Sequence, residues 1–161
     1  MALSLIKASS IASGAGGKIL KASVSEIATN STRTSAQNFG DDLDFGSFTP
    51  SASSSTVLIT GVAYFDFTYQ SYTYYRWRIN NVNYTTGNGT GTMCVYNGLS
   101  NNNASMIPCT IVTSVANTDG SAITVVCQGA GSSNNTLGIN RTITDTYAGA
   151  KSSVMFIEVA S

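Results

Sequence analysis

From Phe39 onward the chain is a succession of short runs in which successive residues alternate between two faces, a period that belongs to extended strands. Thr56–Tyr69 places Val57, Ile59, Ala63, Phe65 and Phe67 on one face and Leu58, Thr60, Val62, Tyr64 and Asp66 on the other. Tyr72–Ile79 sets Tyr72, Tyr74, Arg76 and Arg78 against Thr73, Tyr75, Trp77 and Ile79. Further strands are expected at Thr92–Tyr96, Met106–Ala116, Ala122–Gln128, Thr136–Thr142 and Val154–Val159. Segments rich in Asn, Gly, Ser and Thr separate them, at Thr85–Gly91, Asn97–Asn103, Asn117–Gly120, Gly129–Asn135 and Thr144–Gly149. No helical period follows residue 38. The pattern predicts an all-β antiparallel fold, a sandwich or jelly roll. Gln70-Ser71 reads either as a hairpin turn or as part of one long bent strand.

Several strands carry bulky residues on both faces, as in Val57-Leu58-Ile59 and Tyr74-Tyr75-Arg76-Trp77. One sandwich needs a single apolar face per strand. A second apolar face points to burial against another subunit, where Tyr is favoured because its ring packs and its hydroxyl tolerates water. Ser152–Ala160 is similar: Val154, Phe156 and Val159 alternate only imperfectly with Met155, Ile157 and Glu158.

Residues 1–38 differ from the rest. Leu3, Leu5, Ile6, Ile11, Ile19, Leu20, Val24 and Ile27 are scattered among Ala, Ser, Gly and Lys, and Ser13–Gly17 interrupts any helix. This reads as an extended N-terminal arm with short structured pieces, which must dock on its own domain, on a sister subunit or on another protein, with the folded domain over 39–161. Lys7 breaks the apolar start, so no signal peptide is expected. No run approaches the ~20 apolar residues of a membrane span.

Charged residues make up 10% of the chain, against about 25% in a typical soluble protein. Eight basic residues balance eight acidic ones, which leaves no electrostatic footprint for nucleic acid or an anionic membrane. Ser, Thr, Asn and Gly supply about 45% of the residues, so surface polarity is neutral and little affected by salt. Cys94, Cys109 and Cys127 are odd in number, form no C-x-x-C pair and sit in apolar surroundings. They read as buried small hydrophobes in a protein folded in a reducing cytoplasm.

The chain has no histidine, which removes Ser-His-Asp and Cys-His catalysis and the commonest metal ligand. Asp41-Asp42-Leu43-Asp44 is the one acidic cluster. Calcium is conceivable there, but a solvated turn entering the first strand is the favoured reading. Asp66 is expected to pair with Arg76 or Arg78, Glu158 to serve an interface or ion pair, and Asp145 to sit in a turn. Nothing marks two opposed carboxylates of the glycosidase kind. Gly14–Lys18 fails as a phosphate loop, since Ile19 stands where Ser or Thr is required. The aromatic run Tyr69, Tyr72, Tyr74, Tyr75 and Trp77 is read as packing rather than sugar stacking. Six N-x-S/T matches, among them Asn140-Arg141-Thr142, are read as chance. No catalytic residue, cofactor or metal is assigned.

The segments Ser55–Gly61, Arg76–Asn80, Asp119, Leu137–Thr142 and Ser152–Ala160 together resemble the C1q/TNF-like jelly-roll domains at the C-termini of tailed-phage virion proteins. In that family an Ile-Asn-Arg-(Ser/Thr) element, a downstream Asp and a closing Ile/Met-Glu-Val/Ile strand recur. The opening Met-Ala-Leu-Ser also looks like the start of short phage surface proteins. The resemblance spans roughly residues 39–161 and carries no catalytic residues. The Tyr-rich 69–75 segment and the long Asn/Gly loops depart from the pattern. It implies a homotrimer on the virion surface, assembled in the host cytoplasm. The arm would bind the major capsid protein or another virion protein through Leu3, Leu5, Ile6, Ile11, Ile19 and Leu20. Tyr64, Tyr74, Trp77, Met155, Phe156 and Ile157 are the candidates for the trimer interface. Two roles are open: a capsid decoration (cement) protein, or a fibre tip that contacts a host surface glycan or protein.

Overall fold

A computed structural model of the chain describes residues 18–34, 38–67, 71–84, 92–97, 106–131, 136–141 and 149–160. In chain order the strands are β1 (Ile19–Ile27), β2 (Ser31–Arg33), β3 (Gly40–Phe48), β4 (Ser55–Phe67), β5 (Ser71–Ile79), β6 (Val82–Asn83), β7 (Thr92–Asn97), β8 (Ile107–Asn117), β9 (Ile123–Gly131), β10 (Leu137–Ile139) and β11 (Ser152–Ala160). They form two antiparallel sheets packed as a sandwich, with no helix among the described residues.

The first sheet is organised by β4, whose thirteen residues are enough to hold two strands end to end on one edge. β11 pairs along Ser55–Val62 and β10 along Phe65–Phe67, while β8 covers the other edge. β1 and β2 repeat the division, pairing with β11 and β10 respectively. The break between the end-to-end strands is filled by Asn140, at φ 57° and fully buried. Asn tolerates this left-handed backbone because its short polar side chain bonds locally. Its amide nitrogen donates to the Ile27 and Thr29 carbonyls (2.9 and 3.2 Å), its Oδ1 accepts from Ser152 Oγ, and its backbone N–H donates to Tyr64 O. One side chain thereby satisfies backbone groups that the interrupted ladder leaves open.

The second sheet runs β3-β9-β5, with β7 and β6 end to end on the far edge of β5. Asn80 and Asn81, at φ 50° and 63°, make the two-residue turn from β5 to β6, where both positions need positive φ. The long-range pairings nest: β1 with β11, β3 with β9, β4 with β8 and β5 with β7.

The core lies between the sheets. Val57, Ile59, Ala63 and Phe65 of β4, with Val154 and Phe156 of neighbouring β11 beside them, face Tyr75 and Trp77 of β5 and Val125 and Cys127 of β9. Phe48 stacks on Phe156 (5.2 Å) and Phe45 on Trp77 (5.7 Å). Each such side chain contributes about 1.5–3 kcal/mol by leaving water. Gly61 has no room for a side chain beside β11: a Cβ there would stand 2.7 Å from the Ser153 carbonyl.

Three expectations are corrected. The segment from Ile19 to Arg33 is no free arm, because β1 and β2 are hydrogen-bonded members of the first sheet. Asp41–Asp44 is no entry turn, because it lies within β3. Asp66 does not meet Arg76 or Arg78 across a neighbouring strand, because β4 and β5 belong to different sheets; Asp66 is fully buried.

Candidate assembly face

Alternation that buries one face of each strand turns the other outward. On the first sheet this outer face is apolar to an unusual degree. One row across the four strands reads Val24, Met155, Thr60 and Val112, and the next reads Ala22, Ile157, Leu58 and Ser114. Val112 is 78% exposed, Val24 60%, Leu58 42% and Met155 37%. Neither row contains a charge. Glu26 flanks them on β1 beside Lys151, a loose exposed pair at 3.9 Å. Lys21 is turned elsewhere, to the Thr49 carbonyl and the Phe48 ring. Contiguous exposed apolar surface of this kind marks association.

The six interface candidates are divided by the fold. Met155, Ile157 and Tyr64 belong to strands of the first sheet, and the first two lie in the apolar rows. Tyr74 lies on the second sheet, at the other side of the sandwich. Trp77 and Phe156 are each 2% exposed, inside the domain's own core, so they do not reach a neighbour. Val24 and Val112 are not among the interface candidates drawn from the sequence, although Val24 is one of the apolar residues of 1–38 that need cover. The signal for Val112 was present, since Ile111-Val112 puts apolar groups on both faces just as Val57-Leu58-Ile59 does. Of the attachment candidates, Ile19 (62%) and Leu20 (36%) are exposed at the start of β1. Leu3, Leu5, Ile6 and Ile11 lie outside the described residues, as do Asp145 and the side chain of Cys94.

The buried polar groups stitch the ends of the sandwich. Glu158 faces the core rather than a partner. Its carboxylate accepts from the Ser51 and Ala52 amides (2.8 and 3.0 Å) and the Ser51 and Ser55 hydroxyls (2.7 and 2.9 Å), pinning the β3–β4 connection to β11. Burial pushes this carboxyl upward, but the four donors outweigh burial and hold it at about 2, below its ordinary 4.5. A depressed pKa stabilises the fold fully above pH 4.5, and that contribution fades as pH falls towards 2. Glu158→Gln is therefore expected to lower stability at neutral pH, with the gap from the parent protein narrowing through this acid window. Urea unfolding at several pH values checks this, and a constant gap would refute it.

The acidic cluster is split among separate tasks. Asp42 accepts from Arg33 Nε and Nη2 (2.6 and 3.1 Å) and from the Gly129 amide, while Arg33 also donates to the Gly129 carbonyl. This ties β2 to β3 and β9 across the two sheets. Burial raises the Asp42 carboxyl, against the pull of Arg33. Asp41 bonds Gln128, and Asp44 receives the Gly46 amide. Among the described residues no group of three His, Cys, Asp or Glu is placed to hold a metal ion. Burial pushes the Cys109 and Cys127 thiols well above their ordinary range, so neither is a thiolate nucleophile at neutral pH. Asn140 is sealed inside the sheet, which rules it out as a glycan acceptor. The sequence matches no protein-family model and no curated protein.

Proposed function

We propose that this chain is a non-enzymatic virion protein with a C1q/TNF-like jelly roll, which assembles as a homotrimer and decorates a capsid surface. The observation that carries the reading is the pair of apolar rows on the outer face of the first sheet, neither of which contains a charge. Rows without charges need no complementary charge on a partner, so a second copy of the chain suits them. β11 runs through the middle of the sheet with Val154 and Phe156 in the core and Met155 and Ile157 on the outer face. That is the double burial expected of a strand near a trimer centre.

The jelly-roll assignment rests on the nested pairing. Counting end-to-end strands as one gives eight, paired first with eighth, second with seventh, third with sixth and fourth with fifth. An antiparallel ribbon folded at its midpoint and rolled into two sheets gives this order.

Attachment to the particle is assigned to residues 1–17, which carry Leu3, Leu5, Ile6 and Ile11. Particles assembled with a chain lacking 1–17 should lose the protein from the shell while the free protein stays trimeric. Images of intact particles check this. Density for the protein at the tail alone would refute the decoration role.

A further inference from the structure

We propose that residues 1–17 of three copies act as one set, delivered side by side by the assembly face, and that their partner is a surface repeating one apolar docking site about the same axis. The proposal rests on the trimer and the anchor of the preceding section. It adds where the anchor leaves the domain and what that demands of the partner.

The exit lies on the apolar face. Beside the two rows described above runs a third, made of Ile19, Val159, Thr56 and Ala116. It too contains no charge. Glu158 points into the core, so Val159 turns outward with Met155 and Ile157. Ile19 and Ala116 are exposed, and Val159 and Thr56 are half-buried. The chain enters this row from Lys18, whose carbonyl accepts the Ala160 N–H at 2.9 Å. The residue before Ile19 is therefore fixed by the sheet, and the anchor starts at the border of the face. Lys21 does not intrude. A register shift between Ile19 and Lys21 places it opposite Glu158, on the inward side, where it bonds the Thr49 carbonyl.

Symmetry converts this position into a geometry. Copies related by rotation hold equivalent atoms at one height along the axis. Sheets in contact pack about 10 Å apart, so each Lys18 lies close to the axis and three anchors leave at one level. No side chain of 1–17 can lie further than about 60 Å from its exit. The docking sites are thereby confined to one neighbourhood of the partner. Each anchor offers Leu3, Leu5, Ile6 and Ile11. Four apolar side chains are a small contact beside the freedom that association costs, so one anchor alone binds weakly. Three linked anchors do not, because the first to engage holds the others at a millimolar effective concentration. A partner with a single docking site would use one anchor and waste two. A shell protein repeated about an axis uses all three.

The test is co-sedimentation with particles assembled without the protein. Leu58→Glu, with its anchor intact and its trimer broken, should bind at least about a hundredfold more weakly than the parent. Residues 1–17 fused to a trimeric coiled coil should bind within about tenfold of the parent, while the same residues on a monomeric carrier should be as weak as Leu58→Glu. Ile19→Glu should also yield monomers by sedimentation velocity, since the exit row belongs to the contact. Equal binding by the two carriers would overturn the set of three and leave the anchor standing. A trimer that survives Ile19→Glu would place the exits away from the contact and overturn the set as well. A trimeric parent that still binds after deletion of 1–17 would overturn the anchor and the set together.

Discussion

A chain lacking residues 1–17 should fold as the full protein does, and one lacking residues 1–38 should not fold. The second deletion removes β1 and β2, and with them the edge that covers β11 and β10. Asn140 loses both carbonyls that its amide serves, at Ile27 and Thr29. A buried donor left without an acceptor costs about 1–3 kcal/mol. Asp42, 3% exposed, loses Arg33. Breaking a buried pair from one side costs about 3–5 kcal/mol. Ile27 also leaves its place against the core. Together these losses rival the entire stability of a domain, about 5–15 kcal/mol. Dispersed amide resonances in the 18–161 chain, beside collapsed ones in the 39–161 chain, would bear this out. A folded 39–161 chain would mean that β1 and β2 are accessories.

Leu58→Glu, Met155→Glu and Val112→Glu should each convert the proposed trimer to monomers, while Val82→Glu on the second sheet should leave it intact. All four positions are exposed in the single chain, so the domain itself should tolerate the change. In a symmetric assembly each substitution places three charges in an apolar contact. The effective penalty for an unpaired buried ion is several kcal/mol, and every 1.4 kcal/mol is about tenfold in affinity. Sedimentation velocity reads the outcome, with near-ultraviolet circular dichroism to confirm that the monomers remain folded. A parent protein that sediments as a monomer would remove the trimer reading. A trimer that survives Leu58→Glu would move the interface to another surface.

The alternation of β4 and β5 was legible because both strands are flanked by others and pack one face on the core. Val57, Ile59, Ala63, Phe65, Tyr75 and Trp77 all fall on the expected sides. β11 was harder. Glu158 breaks its apolar parity, although its side chain faces inward like Val154 and Phe156. The donors that make this tolerable come from Ser51 to Ser55, more than a hundred residues away, and no local pattern reveals them. Trp77 and Phe156 share the inward face of their strands with Tyr75 and Val154, and the sequence alone does not say which face of β5 or β11 is the inner one. β1 does not stand out as a strand in the sequence because edge strands are weakly patterned: six of its first seven residues are exposed, and Lys21 and Glu26 interrupt the apolar positions. The face itself was half visible. Met155 and Ile157 could be singled out within their own strand, whereas the row joining Val24 to Val112 exists only once four strands are aligned.

The nested pairing of strands also bears on how the chain is made. β5 and β7 meet across a short stretch of sequence, but β1 must wait for β11, more than a hundred residues downstream. A ribosome delivering this chain therefore releases the first strand long before its partner exists. Until β11 emerges, the β1 side of β11 and the central edge of β4 cannot form, and the Glu158 stitch is missing. Long loops closed late give slow folding. The apolar rows also remain incomplete until then, because β11 supplies Met155 and Ile157 to them. Synthesis order would thus delay the proposed association until β11 is in place, since a nascent chain lacks the complete rows.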